Sequence, residues 1–361
     1  MLAALNSSGY PQEMFNLSLE TIEAYKLPVA YQLYVLEGFA LAVFNLLVTA
    51  AIIKFPLLRM KKEYLVIAGL ALADTILGLA YLVAGIYRIW VFYSGNSSVG
   101  QSSFECLLKP HSFLFLLGAP LAATMLTAAS VDRFLSVAVP VVYLGLKQSY
   151  AYWLVGSFYA YGVLSAFTLC IVSYRQGPGQ NYNMICQTSW TIGHSFFKSY
   201  YFFIRVLSGT VSVIIYMLIP FVYWRRKPVA QNAGAARSKI NAQKGLIKVR
   251  GAAAAFTLIF YVSPNILRSW LADSSSTTAW AVISPYSSII QNINSLLNIF
   301  LYLRLTDMRD GIVALLLCRQ PPFRSKTSVS VSNIKVSRRS MRHLSIVSMR
   351  NRSVVSPCQF K

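Results

Sequence analysis

The sequence predicts an all-α membrane protein: a bundle of seven transmembrane helices followed by a short amphipathic eighth helix. Three observations carry this. Of the 361 residues, 56% are apolar and only 12% charged, a balance too apolar for a soluble domain and usual for a multi-span membrane protein. Seven runs are long enough to cross the hydrocarbon, which takes about 20 apolar residues in a helix. The basic residues gather in the segments that would share one membrane face, as the orientation of membrane helices demands. Net charge is +22. In a soluble chain that would suggest nucleic acid, but neither zinc-ligand spacing nor a basic-aromatic recognition module accompanies it, so no nucleic-acid partner is expected.

Residues 1–30 form an N-terminal segment. Residues 1–27 are polar and carry Glu13, Glu20 and Glu23 with one Lys26, unlike a cleavable signal peptide, so the first span is expected to double as the targeting signal. The spans, covering residues 31–303, read as Tyr31–Ile53, Tyr64–Tyr87, Leu107–Val131, Ala151–Ser173, Tyr200–Trp224, Leu246–Leu267 and Trp280–Leu303. An odd number places the two chain ends on opposite sides. Residues 304–320 contain Thr306 to Cys318, where Met308, Ile312, Leu315 and Leu316 recur at helical spacing opposite Asp307, Arg309 and Asp310. That pattern predicts a helix along the membrane surface. Cys318 ends it beside the bilayer, where it is a candidate acylation site. The tail, 321–361, is rich in Ser and Arg without an apolar period and is expected to be disordered.

Translocation disfavours Lys and Arg. Four follow span one, two follow span three, eight lie between span five and the first turns of span six, and twelve follow Leu303, so 26 of the 33 fall on one side. That side is expected to be the cytoplasm. Three glycosylation sequons, at Asn6, Asn16 and Asn96, all fall on the other side. Together they predict an N-terminus outside the cell and a C-terminus in the cytoplasm. No internal repeat and no matched pair of broken helices suggests a transporter.

Two ionisable stretches stand out. Asp74 lies mid-span in Leu70-Ala71-Leu72-Ala73-Asp74, where an unpaired carboxylate is costly. Asn45, Asn294, Ser295 and Asn298 are candidate neighbours at similar depth, and 294 and 298 share a helical face. Such a network either ties helices together or forms a cation or proton site that reports activation. Asp132-Arg133 stands where the third apolar run ends, with Val139-Pro140 soon after. Arg133 is either a snorkelling membrane-surface anchor or half of a two-state electrostatic switch.

Asn45, Leu-x-x-x-Asp ending at Asp74, Asp132-Arg133, Trp153, Pro264 and Asn298-Ile299-Phe300-Leu301-Tyr302 occur in an order and spacing that resembles the rhodopsin-like G-protein-coupled receptors over roughly Tyr31 to Cys318. The departures and the Tyr/Phe-rich spans are most similar to nematode serpentine chemoreceptor-type families. The resemblance implies a receptor at the plasma membrane that binds an extracellular small molecule or peptide and activates a heterotrimeric G protein. It implies that Asp132 holds Arg133 at rest and that helix six moves outward about Pro264. It also implies that Tyr216 and Tyr302 swing inward, although each could equally be an interfacial aromatic. Cys106 and Cys186 match the family's disulfide over the helix-three top; a free thiol or a bridge through Cys170 is the alternative. Ser340, Ser345, Ser348, Ser353 and Ser356 could on phosphorylation make an arrestin-type surface, beside the plainer reading of a solvated basic tail.

Several family features are absent. Phe134 stands for the usual Tyr after Asp-Arg, Ile299 for the helix-seven Pro, Val262 for a helix-six Trp and Ala122 for a sodium-site Ser. Lys244, Lys248 and Arg250 bring no acid to the inner end of helix six, so no salt bridge from there to Arg133 is expected. For the ligand, Lys109, His111, Phe115, Arg205 and Arg268 are the pocket candidates, with Glu37 and Arg88 towards the same end. Phe115 is apolar where amine receptors carry an Asp, and Arg205 requires either a ligand anion or an internal acceptor such as Glu37. No Ser-His-Asp, His-Glu-x-x-His or P-loop pattern appears, and His111, His194 and His343 do not cluster in sequence, so no enzyme, metal or cofactor is expected. A seven-helix ligand-gated cation channel with its N-terminus inside and a secondary transporter are the rival classes.

Overall fold

The computed structural model describes residues 27–95, 100–175, 181–186, 200, 203–226, 254–273 and 277–319. The sequons at Asn6, Asn16 and Asn96, the basic segment holding Lys244, Lys248 and Arg250, and the serine-rich tail lie outside the described residues. The long helices are α1 (Leu27–Lys54), α3 (Lys62–Tyr93), α5 (Pro110–Ala138), α7 (Ser149–Arg175), α8 (Phe203–Arg226), a stretch from Ala254 that ends in α9 (Ser263–Asp273), and α10 (Thr277–Leu303). Short helices α2 (Pro56–Arg59), α4 (Ser103–Leu108), α6 (Pro140–Gly145) and α11 (Thr306–Leu316) punctuate them. Among the described residues, α1, α3, α5, α7 and α8 are long and apolar enough to cross a membrane. α10 has 27 residues, but its inward face carries Ser284, Ser287, Ser288, Gln291, Asn292 and Asn294, all buried.

The helices close on one another: α1 packs on α3 and α10, α3 on α5 and α7, and α5 on α7 and α8. The main core fills the space among α3, α5 and α7, with Leu70, Leu77, Leu116, Leu121, Met125 and Leu169 almost wholly buried. Exposed apolar side chains such as Phe39, Leu164, Phe167 and Met217 cover the outer faces, as a lipid-facing surface would be. Small residues set the α1–α3 distance. A Cβ on Gly38 would stand 2.4 Å from the Leu82 nitrogen, and one on Gly78 would stand 2.7 Å from the Ala42 nitrogen. Such close backbone approach is what small residues permit where helices associate without a hydrophobic driving force.

The third long helix differs from the expected Leu107–Val131. α4 ends at Leu108, and Lys109 adopts an extended conformation as Pro110 restarts the helix. α5 then runs on to Ala138, because helix-compatible residues continue until Val139, whose conformation is constrained by Pro140. Asp132 and Arg133 therefore sit inside a helix, more than a turn from its end. The sixth helix also departs from a plain α-helix. Thr257–Val262 is a π-helix, ending at Ser263-Pro264, where proline has no N–H to donate and Ser263 Oγ bonds the Leu258 carbonyl at 2.8 Å. α10 continues unbroken through Ile299, consistent with the missing proline.

At one end of the bundle, Gly100–Ser102 pairs antiparallel with Asn181–Asn183, and a disulfide joins Cys106 to Cys186 with their Cα atoms 5.3 Å apart. Cys170 is free. Arg88 donates to the carbonyls of Ile185 (3.3 Å) and Cys186 (3.4 Å), fixing the same loop from α3. Ser102 and Glu105 form a reciprocal capping box on α4, and the bond from the Ser102 backbone N–H holds the Glu105 carboxyl below its ordinary value. Cys186→Ser should free this loop. The loss expected is about 4.5 kcal/mol for a closed loop spanning 80 positions, read as a lower melting temperature of the detergent-purified protein under non-reducing conditions.

At the other end, α11 folds back beneath α1. Met308, Ile312 and Ala314 are buried with Phe55 and Leu58, and Lys61 pairs with Asp307. The helix ends two residues short of Cys318, which is exposed. Leu316, expected on the apolar face, is exposed, and Leu315 is half-buried.

Candidate functional site

The end of the bundle near α11 gathers charged and aromatic groups from several helices. α5 presents Asp132 and Arg133. Successive residues on a helix point about 100° apart, so the two side chains leave it in different directions and find different partners. Asp132 is fully buried and accepts a hydrogen bond from the Tyr143 hydroxyl at 3.1 Å. Burial, reinforced by the adjacent Asp132, pushes the Tyr143 hydroxyl well above its ordinary value, so it remains a donor. Arg133 donates through Nη1 to Glu63 Oε2 at 3.0 Å, in an ion pair whose side chains are 20% and 44% exposed. The direct ion-pair partner of Arg133 is Glu63, in the first turn of α3, while Asp132 acts on Arg133 electrostatically without a direct ion pair.

The residue before Glu63 completes the cluster. Lys62 Nζ donates to the backbone carbonyls of Tyr143 and of Leu146, the latter at 2.9 Å, and lies 4.3 Å from the centre of the Tyr143 ring. Tyr216 from α8 and Tyr302 from α10 lie within electrostatic reach of Arg133. Beside this cluster the short helix α6 exposes Val141, Val142 and Leu144, an apolar turn on a polar rim. Sequence reasoning missed Glu63, Lys62 and Tyr143. The signal for Glu63 was its sign: an acid directly after Arg59, Lys61 and Lys62.

In the middle of the bundle a small cavity of about 20 Å³ is lined by Asp74, Arg205, Tyr261, Gln291, Asn292, Asn294, Ser295 and Asn298, with Leu70, Leu77, Ala119, Ala122 and Leu126. Asp74 Oδ1 accepts from Ser295 Oγ at 3.1 Å. Asn294 is an acceptor for Thr257 Oγ1 at 3.3 Å, linking the sixth helix to α10. Asn294, Ser295 and Asn298 therefore share the space around Asp74. Asn45 does not line it: its amide bonds the Leu41 carbonyl within its own helix at 3.0 Å. Ala122 offers the cavity a methyl group and no oxygen.

The ligand candidates do not form one site. Arg205 lies on the cavity wall and donates to Gln291 Oε1 at 2.5 Å. The acceptor suggested from the sequence, Glu37, is instead bonded by Asn292 at 3.3 Å. Phe115 packs edge-on against Tyr81 with ring centres 4.7 Å apart, inside the core. His111 is buried and stacks on Tyr87 at 4.8 Å, and Lys109 lies 5.6 Å over the same ring. Arg268 belongs to α9, with its side chain outside the described residues. Pro264 is buried, and its carbonyl accepts from Ser287 Oγ at 3.3 Å, so this proline is tied to α10.

The family model described as 7 transmembrane receptor (rhodopsin family) matches residues 44–302. No curated protein matches the chain in sequence. The match covers α1 from Phe44, the Arg133 cluster, the central cavity and the end of α10 at Tyr302, and so most of the chain; Glu37, Gly38 and α11 lie outside it. The chain belongs to the rhodopsin family of seven-transmembrane receptors.

Proposed function

We propose that the protein is a plasma-membrane receptor with its N-terminus outside and its C-terminus in the cytoplasm, binding an extracellular ligand and driving nucleotide exchange on a heterotrimeric G protein. The observation that carries this is the Arg133 cluster: a partly exposed guanidinium held by one ion pair, beside the exposed apolar turn Val141-Val142 and Leu144. A charge that a single competing contact can release, next to an apolar surface, suits a partner protein that docks only when the helices have moved. The charge bias along the sequence supports placing this end in the cytoplasm, with all seven helices crossing the bilayer and α11 lying on its inner surface.

Ligand would act from the disulfide-closed end, where Lys109, His111 and Arg88 border the loop anchored by Cys186. The polar cavity below couples that end to the sixth helix through Thr257 and Asn294 and through Ser287 and Pro264. The π turn before Pro264 is the place where α-helical hydrogen bonding is already broken, so the inner half of the helix moves there at least cost. The serine-rich tail would bind an arrestin-type protein once phosphorylated, and Cys318 would be acylated.

The test is nucleotide exchange by a panel of purified heterotrimers in membranes containing increasing densities of the full chain. Exchange that rises with receptor density for one G-protein class, above mock membranes, is expected. A flat response across the panel, with protein demonstrated at the surface, would count against coupling.

A further inference from the structure

We infer that Glu63 is a positioning residue for Arg133: the first turn of α3 supplies the carboxylate that holds the guanidinium at rest. This inference rests on the coupling reading above. The observations divide the Asp132-Arg133 pair between two partners. Asp132 is occupied by Tyr143 at 3.1 Å and faces the short helix α6. Arg133 reaches across to α3 and meets Glu63 at 3.0 Å. Among the described residues Arg133 forms an ion pair with no other carboxylate.

The placement of Glu63 suits the task. It is in the first turn of α3, where the helix dipole favours a negative charge. Lys62 anchors the same turn to the Tyr143 and Leu146 carbonyls, which fixes the distance between α3 and α6. One turn of backbone therefore controls both halves of the acid-base pair: Glu63 holds Arg133 directly, and Lys62 holds the loop whose tyrosine occupies Asp132. The latch is open to competition, since Glu63 is 44% exposed and partly exposed ion pairs are weak. It joins α3 to α5, so it can yield without waiting for the sixth helix to leave.

The experiment compares wild type, Glu63→Gln and Glu63→Asp as full-length receptors, with two readouts. Basal nucleotide exchange should rise about two- to five-fold in Glu63→Gln, the range set by the strength of a partly exposed pair, and stay close to wild type in Glu63→Asp. Independently of any G protein, phenylglyoxal should modify Arg133 in the detergent-purified Glu63→Gln receptor several-fold faster, with the site read by peptide mass spectrometry. Wild-type exchange above mock that Glu63→Gln leaves unchanged overturns the latch. If exchange is at mock level in every variant, the coupling reading fails, and the modification rate decides alone: faster labelling supports the latch, and an unchanged rate overturns it.

Discussion

Arg133→Ala is expected to abolish nucleotide exchange while leaving the receptor at the cell surface in wild-type amounts. The two halves of this expectation have separate physical grounds. Folding should tolerate the change because the partner left behind, Glu63, is 44% exposed and resolvates; a pair of this kind contributes about 1 kcal/mol or less. Coupling should not tolerate it, because Arg133 presents a permanently charged, partly exposed guanidinium from α5, while Asp132 beside it is fully buried. Arg133→Lys should recover only part of the activity, since an ammonium keeps the charge and loses the planar fork of donors. Exchange and surface labelling measured on the same cells decide the matter. Exchange at wild-type level in Arg133→Ala would remove the switch and return Arg133 to the role of a membrane-surface anchor.

Gly38→Ala should prevent normal folding, an effect of about 3 kcal/mol or more. The added methyl would meet backbone atoms, the Leu82 nitrogen at 2.4 Å and the Gly78 carbonyl oxygen at 2.7 Å, and neither can rotate away as a side chain would. Relief requires α1 and α3 to separate, and that contact also seats Tyr34 against Tyr81 and places Glu37 opposite Asn292. The matched control is Gly156→Ala on the exposed face of α7, where a Cβ meets nothing within 4 Å. That change should be neutral or slightly stabilising, by up to about 1 kcal/mol, through reduced unfolded-state freedom. Yield of monodisperse protein and melting temperature separate the two substitutions. Equal behaviour would mean that the α1–α3 interface has room the backbone positions do not show.

Local features of the chain were legible without the fold. An apolar run of sufficient length becomes a helix because in lipid each backbone N–H and C=O must be satisfied within the segment, and α1, α3, α7 and α8 fall within a few residues of the expected spans. Helix three was read less well at both ends. Apolarity marks where side chains leave the hydrocarbon, whereas the helix itself ends where Pro110 and Pro140 interrupt it. The amphipathic period of 306–318 likewise anticipated α11, and the Cys106–Cys186 disulfide followed a family pattern that the folded chain matches.

Partner choice was decided by the tertiary structure. Asp132 and Arg133 are adjacent in sequence, and adjacency suggested that they pair. Helix geometry turns them apart, and each meets a residue that no local pattern singles out: Tyr143 on the following loop and Glu63 seventy positions earlier. Arg205 likewise chose Gln291 over Glu37, and Asn45 turned to its own helix instead of Asp74. The strength of a charge–charge contact depends on separation and burial, and both are set only when the helices are packed. Hydropathy and residue type thus specify which segments enter the membrane and which charges must be satisfied, and the close α1–α3 and α3–α5 packing specifies which group satisfies each of them.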